Sequence, residues 1–433
     1  MLLQKANKLE IKVIVTLLLQ TVSSESEWFK ASSQRKLGFE DWILWKEGQG
    51  EDSPEVEIGV QNWIWDENRK AFWGSYNNEA VLNLCSEGIT AALVTAQCAW
   101  LKLGVSGVLL NPDFPRDLNC GYKLTRKLVT GALTCARGAN LNTPVILVES
   151  SLEAAAAARY YGDGVGANTV ISYALTAPAR AAPELALALH RALLYSPQDT
   201  APAWLTSLSN QSRIATRFGS EMVDSLNLLT LVLPGATILQ QGDELGAADT
   251  ILEWVSNSTC WPIDAVPSAA PFPWDDSTFG GFTTGEPWMP LAPNYRYANA
   301  KTEFSNEHSH LGVVRIAAAM RKSPANGQHV EIKILNNALA VLKWGGTGSL
   351  LYVSNVGRDQ TEAELSRIPG LPAEMTVAAS SGGSSFSTGS HVSLDKVVKL
   401  IPGETILLAG PPRHCGGPGP VDKIASKLSE GWQ

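Results

Sequence analysis

LKLGVSGVLLNPDFP, from Leu101 to Pro115, passes from one kind of structure to another. Trp100, Leu101 and Leu103 read as the end of a helix and Gly104 as a turn. Val105 to Leu110 then reads as a fully apolar strand that stops at Asn111 and Pro112. An unbroken Val/Leu run between turn residues is the pattern of a strand in a parallel sheet covered on both faces, because a strand with one wet face alternates. In such sheets the chemistry gathers just past the carboxyl ends of the strands. Here that position is Asn111.

The same alternation of helix and strand runs outward in both directions. Towards the N-terminus, Met1 to Leu9 has helical spacing, Ile11 to Leu19 is a β-branched apolar strand, and Glu79 to Leu103 is helical again. Between them, Lys30 to Leu84 is polar and aromatic with no sustained period. Towards the C-terminus, Cys120 to Ala139 reads as helix and Thr143 to Val148 as a strand ending at Glu149. Helical spacing returns at Glu184 to Ser196 and at His310 to Arg321. After Ser323 to Gly327 the pattern becomes short alternating strands separated by Gly, Asn and Pro, which predicts an antiparallel β-sandwich. The stretch from Pro411 onwards is Pro/Gly-rich and then polar, and nothing in it predicts a fold.

A chain of 433 residues, 45% hydrophobic and 18% charged, buries a large core and has room for two or three domains. Its net charge of −8 argues against nucleic acid as a partner, since no long Lys/Arg cluster offsets repulsion from phosphates. Fourteen Trp residues fall in groups such as Trp63, Trp65 and Trp73; core packing explains them more simply than a sugar-binding platform. The six cysteines have no metal-ligand spacing, and they neither require nor exclude an oxidising compartment. No metal or cofactor is expected. Asn257 and Asn210 head possible glycosylation tripeptides, and Asn257 is the stronger candidate. The apolar run Ile11 to Leu19 is too short to span a bilayer and has no signal-peptide cleavage pattern.

The frame Gly104, Val105, Ser106, Gly107, Val108, Leu109, Leu110, Asn111 resembles G-V-D-G-F-R-x-D of the α-glucosidase (maltase) members of the α-amylase family of glycoside hydrolases. IKVIVTLLLQTVSSESEWF, from Ile11 to Phe29, resembles that family's third barrel strand and the loop after it. RIATRFG, from Arg213, resembles N-H-D-x-x-R-x-x-[ST]-R-x-G, and LPGATILQQGDELG, from Leu233 to Gly246, resembles L-P-G-x-P-x-x-x-x-G-x-E-x-G. The resemblance runs from Met1 to about Gly410. It implies a (β/α)8 TIM-type barrel, here starting at the third strand without the first two units. It also implies a B sub-domain insertion and a C-terminal antiparallel β-sandwich. The expected division is 1–29 for the barrel start, 30–84 for the B sub-domain, 85–323 for the rest of the barrel, 328–410 for the sandwich and 411–433 for a tail.

Carried over residue by residue, the resemblance places Asn111 at the nucleophile, Glu149 at the general acid and Asn210 at the third carboxylate. Two acids that flank the scissile bond in a retaining hydrolase thus become one acid and one amide. Leu109 stands where the family has an arginine that pairs with those carboxylates. Ser209 and Thr21 stand where it has histidines, and Thr16 where it has another polar motif residue; Arg213 is retained. Losing the arginine together with two carboxylates avoids leaving a buried charge unpaired. Asp113 is the alternative carboxylate, but Pro112 separates it from the strand.

This pattern leads to the expectation of a non-catalytic protein resembling the heavy subunits of heteromeric amino-acid transporters. Its expected partner is a membrane transporter light chain, and its expected location the extracellular face of the plasma membrane. Two alternatives stand beside it: a diverged α-glucosidase hydrolysing α-1,4-linked glucosides, and a module that binds carbohydrate without cutting it.

Overall fold

The computed structural model describes residues 1–48, 54–55, 59–113, 117–162, 164–177, 181–198, 200–254 and 266–413. Asn257, Cys260, Cys415 and most of the expected tail lie outside them. The chain forms two compact units: Met1–Ser172 with Tyr195–Pro202, and Tyr173–Leu194 with everything from Ala203 onward.

In the first unit four parallel strands lie side by side in the order Ile14–Leu17, Gly107–Leu110, Val145–Glu149 and Thr169–Ser172. Helices Glu87–Leu103 and Leu118–Gly138 connect the middle strands. Val108, Leu110, Ile146 and Val148 point at those helices and share a core with Ile89, Leu93, Leu124 and Leu128. Each fully buried Leu or Val of this kind contributes roughly 1.5–3 kcal/mol of transfer free energy. Ser86 caps the first helix through its Oγ, which accepts from the Ile89 N–H, and Asp117 caps the second by accepting from the Asn119 N–H.

Both glycines of the Gly104 to Asn111 frame have structural causes. Gly104 ends its helix at φ 104°, a left-handed conformation that glycine adopts without steric cost. Gly107 opens the strand so close to its neighbour that a Cβ would lie 2.1 Å from the Val145 carbonyl oxygen. Backbone in the middle of a parallel sheet cannot yield. Gly107→Ala is therefore expected to destabilise the chain by about 3 kcal/mol. A thermal melt within a degree of the parent's would contradict this packing.

Two disulfides fasten these elements: Cys98–Cys135 cross-links the two helices, and Cys85–Cys120 ties the residue just before the first helix's cap to the start of the second. Sequence spacing gave no sign of this pairing, because the partners meet only once the helices pack side by side.

The stretch expected to lack any period is an antiparallel sheet. Ala71–Tyr76 pairs with Trp45–Glu47, Asn62–Asp66 and Glu79–Val81, which in turn pairs with Thr21–Val22. Its central strand is buried on both faces and so does not alternate, and several of its tryptophans pack inwards. Trp42, Trp63 and Trp73 are buried, and Trp28 meets Trp42 edge to face at 5.0 Å. The expected helix from Glu79 accordingly starts only at Glu87.

In the second unit the parallel strands Ala203–Leu205 and Ala236–Ile238 pair with each other. Helix Met222–Val232, the apolar stretch of the sequence, is buried at every position. It packs with His310–Arg321 on one six-stranded antiparallel sheet, through Leu226 and Leu229 against Leu339, Tyr352 and Leu407. Its polar members are buried too and find partners inside: Asp224 meets His310, Ser225 meets Ser354, and the Thr230 hydroxyl donates to the Asn227 carbonyl. Thr361–Glu364 and Val397–Leu400 form a separate antiparallel pair that closes the C-terminal core.

Candidate active site

Side chains on Gly107–Leu110 and Val145–Glu149 alternate between the helix-facing core and the opposite face. Thr16, Leu109 and Leu147 occupy matching positions on that opposite face, since Thr16 pairs with Leu109 and Leu109 with Leu147. One register step past Leu110 and Val148 come Asn111 and Glu149. By the same alternation both project where Leu109 and Leu147 do. Both are half-buried, at the carboxyl ends of adjacent strands. Adjacent strands are about 4.8 Å apart, close to the roughly 5–5.5 Å between the two acids of a retaining glycosidase.

Asp113 has another task. Its carboxylate accepts from Ser150 Oγ at 3.0 Å, the Ser151 N–H at 2.5 Å, Ser151 Oγ at 3.3 Å and the Tyr160 hydroxyl at 2.9 Å. Four donors on one carboxylate tie the end of the Glu149 strand to the loop after Asn111, and they use up the lone pairs a nucleophile needs. Burial and the neighbouring Asp113 raise the Tyr160 hydroxyl far above the usual phenol range, so it stays protonated and donates. Sequence reading missed this clamp, because its parts are 37 and 47 residues apart. Thr21 lies outside the clamp, with its hydroxyl donating to Glu79 at 2.5 Å.

In the second unit, Ser209 and Asn210 are exposed on the loop after Ala203–Leu205. Arg213 is buried, and its guanidinium donates to the Gln241 carbonyl at 2.7 Å and the Ser268 carbonyl at 2.8 Å, with Asp243 at 3.6 Å. Arg217 donates to the Thr206 carbonyl at 2.6 Å and Ser207 Oγ at 3.1 Å. The two arginines of the RIATRFG motif therefore hold loops together. Burial raises the Asp243 carboxyl above its ordinary range, with Ser207 and Arg213 opposing the rise.

Further along this unit, His310 Nδ1 lies 2.7 Å from Asp224, whose other oxygen accepts from the Gly382 N–H at 2.9 Å. Buried Glu303 accepts from the Leu311 N–H at 2.9 Å. Burial pushes the Glu303 carboxyl up to about 7, with Asp224 and Glu244 adding to the rise and Leu311 and His310 opposing it. Burial alone would lower His310, but the Asp224 hydrogen bond and the charges of Asp224 and Glu303 raise it overall. Folding thus holds the Glu303 proton from its ordinary 4.5 up to about 7, and the His310 proton beyond its ordinary 6.5. A folded state that binds more protons than the unfolded one loses stability as pH rises through that window. For Glu303 the loss is on the order of 3 kcal/mol. The melting temperature is expected to fall between about pH 5 and pH 8, and Glu303→Gln to flatten the fall. A melting temperature that climbs over that interval would contradict the assignment.

Among the described residues no cluster of His, Cys, Asp or Glu has the geometry to hold a metal ion, and no helix is long and apolar enough to cross a membrane.

Residues 1–111 and 136–327 match the model of the α-amylase catalytic domain. The chain belongs to the α-amylase family. It is 26% identical to Maltase 1 of Drosophila virilis over 87% of this chain and 69% of that protein. It is 24% identical to Maltase A1 of Drosophila melanogaster, covering 94% and 82% of the two chains. The crystal structure of Bacillus licheniformis trehalose-6-phosphate hydrolase superposes with a TM-score of 0.75 at 20% identity, covering 95% of this chain and 85% of that one. The fold is thus the TIM-type α/β barrel of this family with a C-terminal antiparallel β-domain. These relatives overturn the transporter-subunit expectation. The proteins that this chain matches along most of its length are named maltases and α-glucosidases. That expectation rested on six replaced side chains, at positions 16, 21, 109, 111, 209 and 210, whereas the match extends along the α-amylase domain.

Proposed function

We propose that this chain is a diverged α-glucosidase that takes α-1,4-linked glucosides of the maltose type and hydrolyses them slowly, with Glu149 as general acid. The observation that carries the reading is the register that sets Glu149 beside Asn111 at the carboxyl ends of neighbouring strands. The family's acid is in place and its partner position holds an amide. Glu149 gives its proton to the leaving oxygen as the bond to the anomeric carbon breaks. A water oxygen bonds to that carbon from the opposite face, with the Asn111 amide oxygen accepting a hydrogen bond from it; the water's proton passes to solvent, and Glu149 takes a proton back from solvent. An amide lacks the charge that stabilises an oxocarbenium-like transition state. Turnover about four to six orders of magnitude below that of a member with both acids is expected.

The two disulfides point further to an oxidising, extracellular compartment, since such bonds persist where thiols are not kept reduced.

Glucose release from maltose, followed at high protein concentration, tests the function. Measurable release that Glu149→Gln removes supports it. Release unchanged by Glu149→Gln, or none above the uncatalysed rate, would overturn it.

A further inference from the structure

The first unit has a cleft of about 590 Å³ between helix Leu118–Gly138 and the turn Ala158–Tyr161. We propose that it is a binding site for a small phosphomonoester, held by Arg126, Arg159, Lys123 and Lys127.

Four observations converge on this. Lys123, Arg126 and Lys127 stand at i, i+3 and i+4 on one helix, so they share a face, and Arg159 joins them from the opposite wall. Gathering four cations in a chain of net charge −8 opposes the overall field and needs a compensating anion. The carboxylates facing the cluster do not supply it. Glu87 pairs with Lys123 and attracts Lys127 more weakly, while Asp113 faces Arg159 from the tyrosine side with its oxygens already taken by Ser150, Ser151 and Tyr160. Among the described residues Arg126 makes no ion pair at all.

The fourth observation is preorganisation. The Arg159 guanidinium lies over the Tyr122 ring at 4.1 Å and donates from Nη2 to Asn119 Oδ1 at 3.1 Å. Tyr122 in turn is buried and packs on Tyr160 at 4.6 Å, with its hydroxyl donating to the Ala156 carbonyl at 3.0 Å. The guanidinium is thus fixed in place at the wall of the cleft. A planar guanidinium held this way matches two oxygens of a phosphate, and flanking lysines add charge without demanding geometry. The volume falls within the range of small-ligand pockets, so there is room for a sugar-sized group behind the phosphate.

The test is calorimetric titration of the intact chain with inorganic phosphate and with glucose 6-phosphate, beside glucose, chloride and vesicles containing phosphatidic acid. Glucose 6-phosphate is expected to bind, glucose and chloride not to. Arg126→Gln, at a residue whose side chain makes no hydrogen bond or ion pair among the described residues, is expected to weaken binding about tenfold at an unchanged melting temperature. Arg159→Lys keeps the charge but loses the fork, and is expected to weaken binding comparably. No binding of either soluble phosphate, binding only to vesicles, or binding that both variants leave unchanged would each overturn the proposal.

Discussion

Asn111→Asp combined with Leu109→Arg raises maltose turnover by about a thousandfold over the parent, the largest gain expected of any change in this chain. Asn111 and Glu149 are one register step past Leu110 and Val148, so an aspartate at 111 enters a position whose spacing already suits it. It needs a counter-charge. Leu109 is half-buried on the same face between Thr16 and Leu147, where an arginine reaches both carboxylates. Either substitution alone leaves a charge poorly compensated in that setting, at a cost of several kcal/mol. The single variants are therefore expected to be less stable than the pair, a coupling that a double-mutant cycle reads directly. Adding Asn210→Asp is expected to increase turnover again. If the paired variant gains nothing while melting like the parent, the assignment of Asn111 to the nucleophile position is wrong.

The two disulfides together contribute more to stability than any single side chain of the first unit. Cys85–Cys120 closes a sequence separation of 35 and Cys98–Cys135 one of 37. By chain-entropy reasoning each constrains the unfolded state by about 4 kcal/mol. Both hold in place the two helices whose inner faces cover the Val108, Leu110, Ile146 and Val148 side of the sheet. Without them the core that seats Glu149 has only packing to hold it. Cys98→Ala/Cys135→Ala is expected to lower the unfolding free energy by about 3 kcal/mol. Reducing agent is expected to do the same to the parent and to have less effect on the variant. Urea midpoints that do not respond to reductant would contradict the pairing.

Much of the barrel was legible because its signals are local. The apolar run ending at Asn111 marked a covered parallel strand, and Gly104 and Gly107 fall where a turn and a close backbone approach need them. His310–Arg321 has the bounds its spacing predicts. What stayed hidden depends on contacts between distant residues. The sheet around Ala71–Tyr76 is centred on a strand buried on both faces, which shows no alternation. Cysteine pairing needed the packing of two helices, and the Asp113 clamp needed Ser150, Ser151 and Tyr160 to meet one carboxylate. At the candidate site, the frame residues and Glu149 could be placed from sequence. The functional conclusion drawn from the replaced motif residues could not, since a short motif says less about a protein than a match along most of its length.

Proton NMR, read before mutarotation, gives the anomer of the glucose first released from p-nitrophenyl α-glucoside and so decides whether water or a carboxylate attacks the sugar first. With Asn111 unable to form a carboxylate ester to the sugar, water must displace the leaving group itself, and the account predicts β-glucose, the inverted product. Release of α-glucose, lost in Glu149→Gln, would show that a carboxylate of this chain attacks first, and would contradict the account.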